Sequence, residues 1–168
     1  MPPTPPTTGK DRGAHPLEAL VRKWHTSDPR RVIGHGHPIG DFLEAYDWDL
    51  LEEREGFLRV ACHLPAQVRN PRGDLFGGFT PVYADFIAVF TGRAAHRGEP
   101  PTTWLNTASL SLDYFRPIKD HFVCEGEVIH RTGRTRHIQI RFLAGVGAEL
   151  LALAKATIVE APRAEPET

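Results

Sequence analysis

The stretch NPRGDLFGGFTPVYADF, residues 70–86, gathers the groups best suited to chemistry in this chain: Asn70, the pair Gly77 and Gly78, and Asp85. Glycines at the start of a helix let the backbone come close to a ligand. The first N–H groups of a helix have no internal partner and lie at the positive end of its dipole, so they suit developing negative charge. Asp85 follows Gly77 by eight residues, roughly two helical turns. A carboxylate in an otherwise apolar helix is unfavourable to bury unless it has a partner or a task. Asp85 is therefore a base or a nucleophile, or it serves as a cap or pairs with an arginine. Asn70 stands before Pro71, where a turn is the competing role, and the glycine pair also suits a tight helix start.

These residues need a scaffold. The run GGFTPVYADFIAVFTGR spaces Val82, Phe86, Val89 and Phe90 at helical intervals, tolerates Pro81 in a first turn and stops at Gly92. It predicts one long apolar helix wrapped by other structure. EGFLRVACHLP alternates Leu58, Val60, Cys62 and Leu64 against Phe57, Arg59, Ala61 and His63, which predicts a half-buried strand. A strand near Trp48 precedes it. Four strands follow the helix, in TWLNTASLSLDYFRP, HFVCEGEVIHR, TRHIQIRFLA and ELLALAKATIVE. Two strands, one helix and four strands in a meander predict an α+β fold, a curved antiparallel sheet around the helix. Association through a sheet edge is the natural protection for that edge. PLEALVRKW predicts a short amphipathic helix, and SDPRRVIGHGHPIG reads as loop, with His35 and His37 in loop or packing roles rather than as metal ligands.

The 168 residues, 40% of them apolar, suit one domain with a real core. Residues 1–14 and 161–168 read as disordered tails around a domain at 15–160. A formal net charge of -1 gives no bulk electrostatic reason to expect nucleic acid or an anionic membrane as partner. Cys62 and Cys124 fall in strands and read as small buried apolar residues, with no metal framework. No apolar run approaches the ~20 residues of a membrane span, and the N-terminus lacks a signal-peptide core, so a cytoplasmic protein is expected.

The element order and these residues resemble the hotdog-fold thioesterases, in the branch of the phenylacetate-degradation and 4-hydroxybenzoyl-CoA thioesterases. The resemblance covers residues 38–160. It rests on Asn70, Gly73, Gly77, Gly78 and Asp85 at the family's spacing, on LDYFRP as a strand end, and on the basic turn RTGR. It implies a hotdog fold and an acyl-CoA thioesterase that needs no metal or redox cofactor, coenzyme A being part of the substrate. It also implies a homodimer, or two dimers as a homotetramer, with each site shared between subunits. In such a site Asp85 is the base or nucleophile, the Gly77 N–H is the oxyanion donor of the dimer mate, and Asn70 orients the water or the thioester. Thr107 matches a hydroxyl position near the active site, against a plain strand role. Arg116, Arg131 and Arg134 suit the phosphates of coenzyme A, against solvated turns, with Gly78 and Tyr114 beside the same ligand. Phe76 and Tyr83 suggest an aromatic pocket lining, unless they are core. The sequence departs from the family at Phe76, where relatives carry a histidine. A non-catalytic acyl-CoA binding or sensing protein is the alternative that this departure supports. A hydratase ranks below both, since that chemistry relies on a histidine.

Overall fold

A computed structural model describes residues 22, 24–96, 103–145 and 149–162. After a short helix α1 (Pro38–Phe42) come strands β1 (Asp49–Arg54) and β2 (Phe57–His63), and then the central helix α2 (Thr80–Gly92). β3 (Thr103–Tyr114), β4 (His121–Thr132), β5 (Thr135–Leu143) and β6 (Leu150–Pro162) complete the chain. The six strands form one antiparallel sheet in the order β1-β2-β4-β5-β6-β3. This is the α+β hotdog architecture, with α2 cupped by the sheet. β6 continues through Pro162, two residues past the expected domain end. The tail at 1–14 and most of the helix expected in PLEALVRKW lie outside the described residues; Arg22 and Trp24 are helical.

Alternation in the sequence becomes burial in the sheet. Leu58, Val60, Ile138, Ile140 and Phe142 are fully enclosed beneath α2. The helix turns Tyr83, Ala84, Ile87, Ala88 and Thr91 toward this layer. Tyr83 stacks on Trp48 with ring centroids 5.4 Å apart. Its hydroxyl donates to the His63 carbonyl at 3.3 Å, and burial pushes its pKa up. Cys62 and Cys124 are free thiols in this core.

α1 begins inside the stretch expected to be loop. Pro38 fits its first turn, and His37 caps it by accepting the Gly40 N–H on Nδ1 at 3.0 Å. Histidine is an uncommon cap, so the helix start carries no strong sequence signal.

The helix approaches the sheet most closely at Gly126 of β4. A Cβ there would lie 1.9 Å from Thr91 Oγ1 and 3.1 Å from Ile87 Cγ2. Thr91 cannot swing aside freely, because its hydroxyl donates to the Ile87 carbonyl at 2.7 Å in the buried interface. Gly126→Ala is therefore expected to destabilise the protein by about 3 kcal/mol, the upper end for overpacking a core. Urea denaturation measures the loss. Adding Thr91→Ala should recover part of it, since the obstructing hydroxyl is gone.

Candidate functional site

The face of α2 turned away from the sheet is also apolar, and it carries Asp85. Val82, Phe86, Val89 and Phe90 line a groove of about 440 Å³ with Asp85 among them. Ile39 and His37 close it from the N-terminal side, and Leu110 of β3 closes it from the sheet edge. Among the described residues, Asp85 is the only carboxylate in this lining. Its Oδ1 accepts a hydrogen bond from Thr107 Oγ1. Thr107 stands where the pairing of β3 with β6 slips one residue, at a bulge before Ser109. Bulges of this kind re-aim side chains. Among the described residues Asp85 has no cationic partner and its Oδ2 accepts no hydrogen bond. The fold thus holds the carboxylate with one neutral hydroxyl rather than with an arginine. One oxygen is fixed, and the other is available to a water or to an electrophilic carbon.

The glycine pair sits at the other end of the helix face. Gly77, Gly78 and Phe79 form a single 3₁₀ turn that feeds α2. The Gly77 N–H has no partner among the described residues, while its carbonyl accepts Tyr114 Oη at 2.7 Å. A Cβ on Gly77 would meet Tyr114 only at an ordinary 3.8 Å, so the chain itself does not demand glycine there. At Gly78 a Cβ would lie 2.9 Å from the Phe76 ring. Phe76 is half exposed, lies edge-on to Phe79 and covers this turn. Asn70 shapes the preceding turn, its Oδ1 accepting from the backbone N–H of Arg72 at 2.8 Å and of Asp74 at 3.2 Å. Its Nδ2 has no partner among the described residues. The turn role and a donor role therefore coexist on one side chain.

Other expected residues scatter. Tyr83 lies in the core and does not line the groove, because its position on α2 faces the sheet. Arg116 is exposed and pairs with Glu149 at 2.8 Å. Arg131 reaches Glu160 at 3.5 Å, at the opposite end of the sheet, and Arg134 is exposed on the turn beside it. Strand register makes the separation plain, since Arg131 aligns through Arg136 and Ile158 with Thr107, while Arg116 follows Tyr114. The seven residue steps from Thr107 to Tyr114 span roughly 23 Å. Arg116 and Arg131 of one chain therefore cannot meet one phosphate. Arg136, which sequence reading passed over, joins the second cluster by donating to the Gly92 carbonyl and pairing with Glu160. His37 was read as a loop or packing residue; it caps α1 and lines the groove as well. Among the described residues no three His, Cys, Asp or Glu side chains gather as a metal site requires, and no helix is long and apolar enough to cross a membrane.

Comparison with known proteins agrees with this architecture. Thioesterase HI1161 from Haemophilus influenzae is 14% identical with a TM-score of 0.62, covering 77% of this chain and 86% of that one. The PaaI protein of the phenylacetic acid degradation operon of E. coli is 17% identical with a TM-score of 0.60, over 75% and 86% of the two chains. AziG of S. sahachiroi is 15% identical with a TM-score of 0.62, over 76% and 98%. At these identities the likeness establishes the fold. No curated protein sequence matches the chain. The model of the thioesterase superfamily matches residues 72–151, which run from the Asn70 turn through the glycine pair, Asp85 and Thr107 into β6. That match lies on the same sheet and helix, so this stretch of the chain is similar to the thioesterase superfamily, and the fold is the hotdog fold of these solved structures.

Proposed function

We propose that the protein hydrolyses an acyl-CoA thioester to a free acid and coenzyme A, at a site shared between two subunits. The observation that carries this reading is Asp85, held by Thr107 in an apolar groove without a counter-cation. Asp85 acts as base or as nucleophile. As base it takes a proton from water while the water oxygen attacks the thioester carbon. As nucleophile its own oxygen attacks, forming an anhydride that water then cleaves. In both routes the carbonyl oxygen gains negative charge, an N–H donor stabilises it, and the C–S bond breaks to release the thiolate of coenzyme A, which is then protonated.

The positions at which the two halves are anchored support the shared site. The oxyanion donor is the Gly77 N–H, yet Gly77 and Asp85 are eight residues apart, roughly 12 Å along a helix. One carbonyl cannot touch both. Tyr114 ties Gly77 to the end of β3, whereas Thr107 ties Asp85 to its middle. β3 is a twelve-residue edge with one charged residue, Asp113. The opposite edge, β1, is short and carries Asp49, Glu52, Glu53 and Arg54, the usual defence against pairing. Antiparallel pairing of two β3 strands about an axis near Leu110 and Ser111 would bring the Tyr114–Gly77 clamp of one subunit beside the Thr107–Asp85 pair of the other. A tetramer of two such dimers is compatible with this pairing. Arg116 of one subunit would then approach the Arg131 and Arg134 end of its mate, giving the phosphates of coenzyme A a basic rim. The protein is read as cytoplasmic, where acyl-CoA is available.

Phe76 favours one rival reading, acyl-CoA binding without turnover, because an aromatic ring occupies the place of a hydrogen-bonding residue. Thiol release from short, medium, long and aryl acyl-CoAs separates the two. Turnover of at least one substrate is expected, with Asp85→Ala lowering kcat about a hundredfold or more, the scale for removing a catalytic base. Tight binding with no thiol released would establish the rival instead.

A second experiment tests the sharing. Phe76 has φ -65° and ψ 125°, the conformation proline accepts before it, so Gly77→Pro should delete the N–H without breaking the turn. The loss expected is about a hundredfold in kcat, the scale for one oxyanion donor. Mixing Gly77→Pro with Asp85→Ala subunits should then restore activity, because each heterodimer holds one intact site. An intrachain site would recover nothing.

A further inference from the structure

Among the described residues that line the groove, one polar side chain stands besides Asp85, and neither the family match nor the reaction above uses it. His37 lines the groove across from α2. Its position is fixed on several sides. The ring lies edge-on to Trp24 at 4.5 Å and to Phe86 at 5.7 Å. Trp24 is itself tied to the same segment, donating from Nε1 to the Gly36 carbonyl at 3.0 Å. Nδ1 accepts the Gly40 N–H at 3.0 Å, and the absence of a side chain at Gly40 leaves room for the ring, since a Cβ there would lie 3.2 Å from that of His37. With Nδ1 occupied as an acceptor, the neutral ring carries its proton on Nε2. Burial lowers the pKa of His37 against the opposing pull of Asp41, which keeps the ring neutral near pH 7. Nε2–H has no hydrogen-bond partner among the described residues.

His37 therefore adds an N–H donor to a groove whose lining, Asp85 apart, is apolar. A hydrocarbon chain laid over that donor would strip its water and return nothing, whereas an oxygen on the chain would replace the lost bond. We propose that His37 is the specificity residue of this site, donating from Nε2–H to an oxygen on the acyl group, so that the enzyme selects oxygenated acyl-CoAs over the plain hydrocarbon ones. This rests on the reading of the groove as the acyl site.

The test compares kcat/KM for hexanoyl-CoA with its hydroxy- and oxo-substituted analogues, in wild type, His37→Phe and His37→Gln. Phenylalanine keeps the ring contacts with Trp24 and Phe86 but has no donor. Glutamine carries an amide N–H near the place of Nε2. Both lack the Nδ1 acceptor that caps α1, so any effect of losing the cap is common to the two. Wild type is expected to prefer at least one oxygenated analogue by about tenfold, a fraction of what a fully enclosed hydrogen-bonding site achieves. His37→Phe should erase that preference, and His37→Gln should restore part of it. The inference is overturned if wild type shows no preference, if His37→Phe keeps it, or if both variants lower every substrate by one factor. Failure of wild type to hydrolyse any thioester would overturn the underlying reading of the groove and the role of His37 with it.

Discussion

The contact between Thr91 of the central helix and the bare backbone of β4 at Gly126 is the constraint on which the site depends. It sets how deeply α2 sinks into the sheet. A helix lifted by one methyl group would carry Asp85 away from Thr107, whose position is fixed by its own strand. A hydrogen bond between a helix and an edge strand survives only if the layers keep a constant spacing, and close-packed interiors enforce this. Tyr83, Trp48, Ile138 and Ile140 are fully buried in the same core. The core is thus the ruler that places a carboxylate within reach of a hydroxyl.

Much of this was legible in the sequence. Period-two runs such as Leu58, Val60 and Cys62 mark strands because a strand's faces alternate, and these residues are buried as their spacing implies. The helix was legible for the same kind of reason. Its facing was not, because α2 is apolar on both sides. Val82 and Val89 share the spacing that announces a helix, yet they belong to the groove, while Tyr83, which looked like a pocket residue, belongs to the core. Periodicity distinguishes a wet face from a dry one and is silent when both are dry. Gly126 gave no signal either, since only strand register and helix depth together show that no side chain fits there. His37 escaped because its role comes from one cap and two ring contacts made across the chain, not from any spacing.

Asp85 shows where local reading stops. Sequence alone left it between catalysis and pairing with an arginine, and the fold's treatment of its other carboxylates makes the choice informative. Glu125 is buried on β4 between Arg59 and Arg141, which stand directly opposite it on β2 and β5. Glu160 is held by Arg136 and Arg131. Asp120 is hydrogen-bonded by Arg69, which holds its pKa below the usual carboxylate range. A carboxylate neutralised in this way has its lone pairs engaged and its negative charge compensated, so it is a poor base and a poor nucleophile.

The chain has arginines to spend on its structural acids, and around Asp85 it places Val82, Phe86, Val89 and a threonine instead. A single neutral hydroxyl orients one oxygen without cancelling the charge. Asp85 is partly exposed in the groove, and a bound group that displaces water from the apolar wall would strengthen any interaction that charge makes with it. A residue kept only for stability would gain from the arrangement given to Glu125, because an uncompensated carboxylate beside hydrocarbon is a standing penalty. The fold tolerates that penalty at one described position in the groove, and the free oxygen of Asp85 is what it obtains there. This difference in treatment, more than the presence of an acidic residue in a helix, is the physical argument behind the proposal that the groove is a place of reaction.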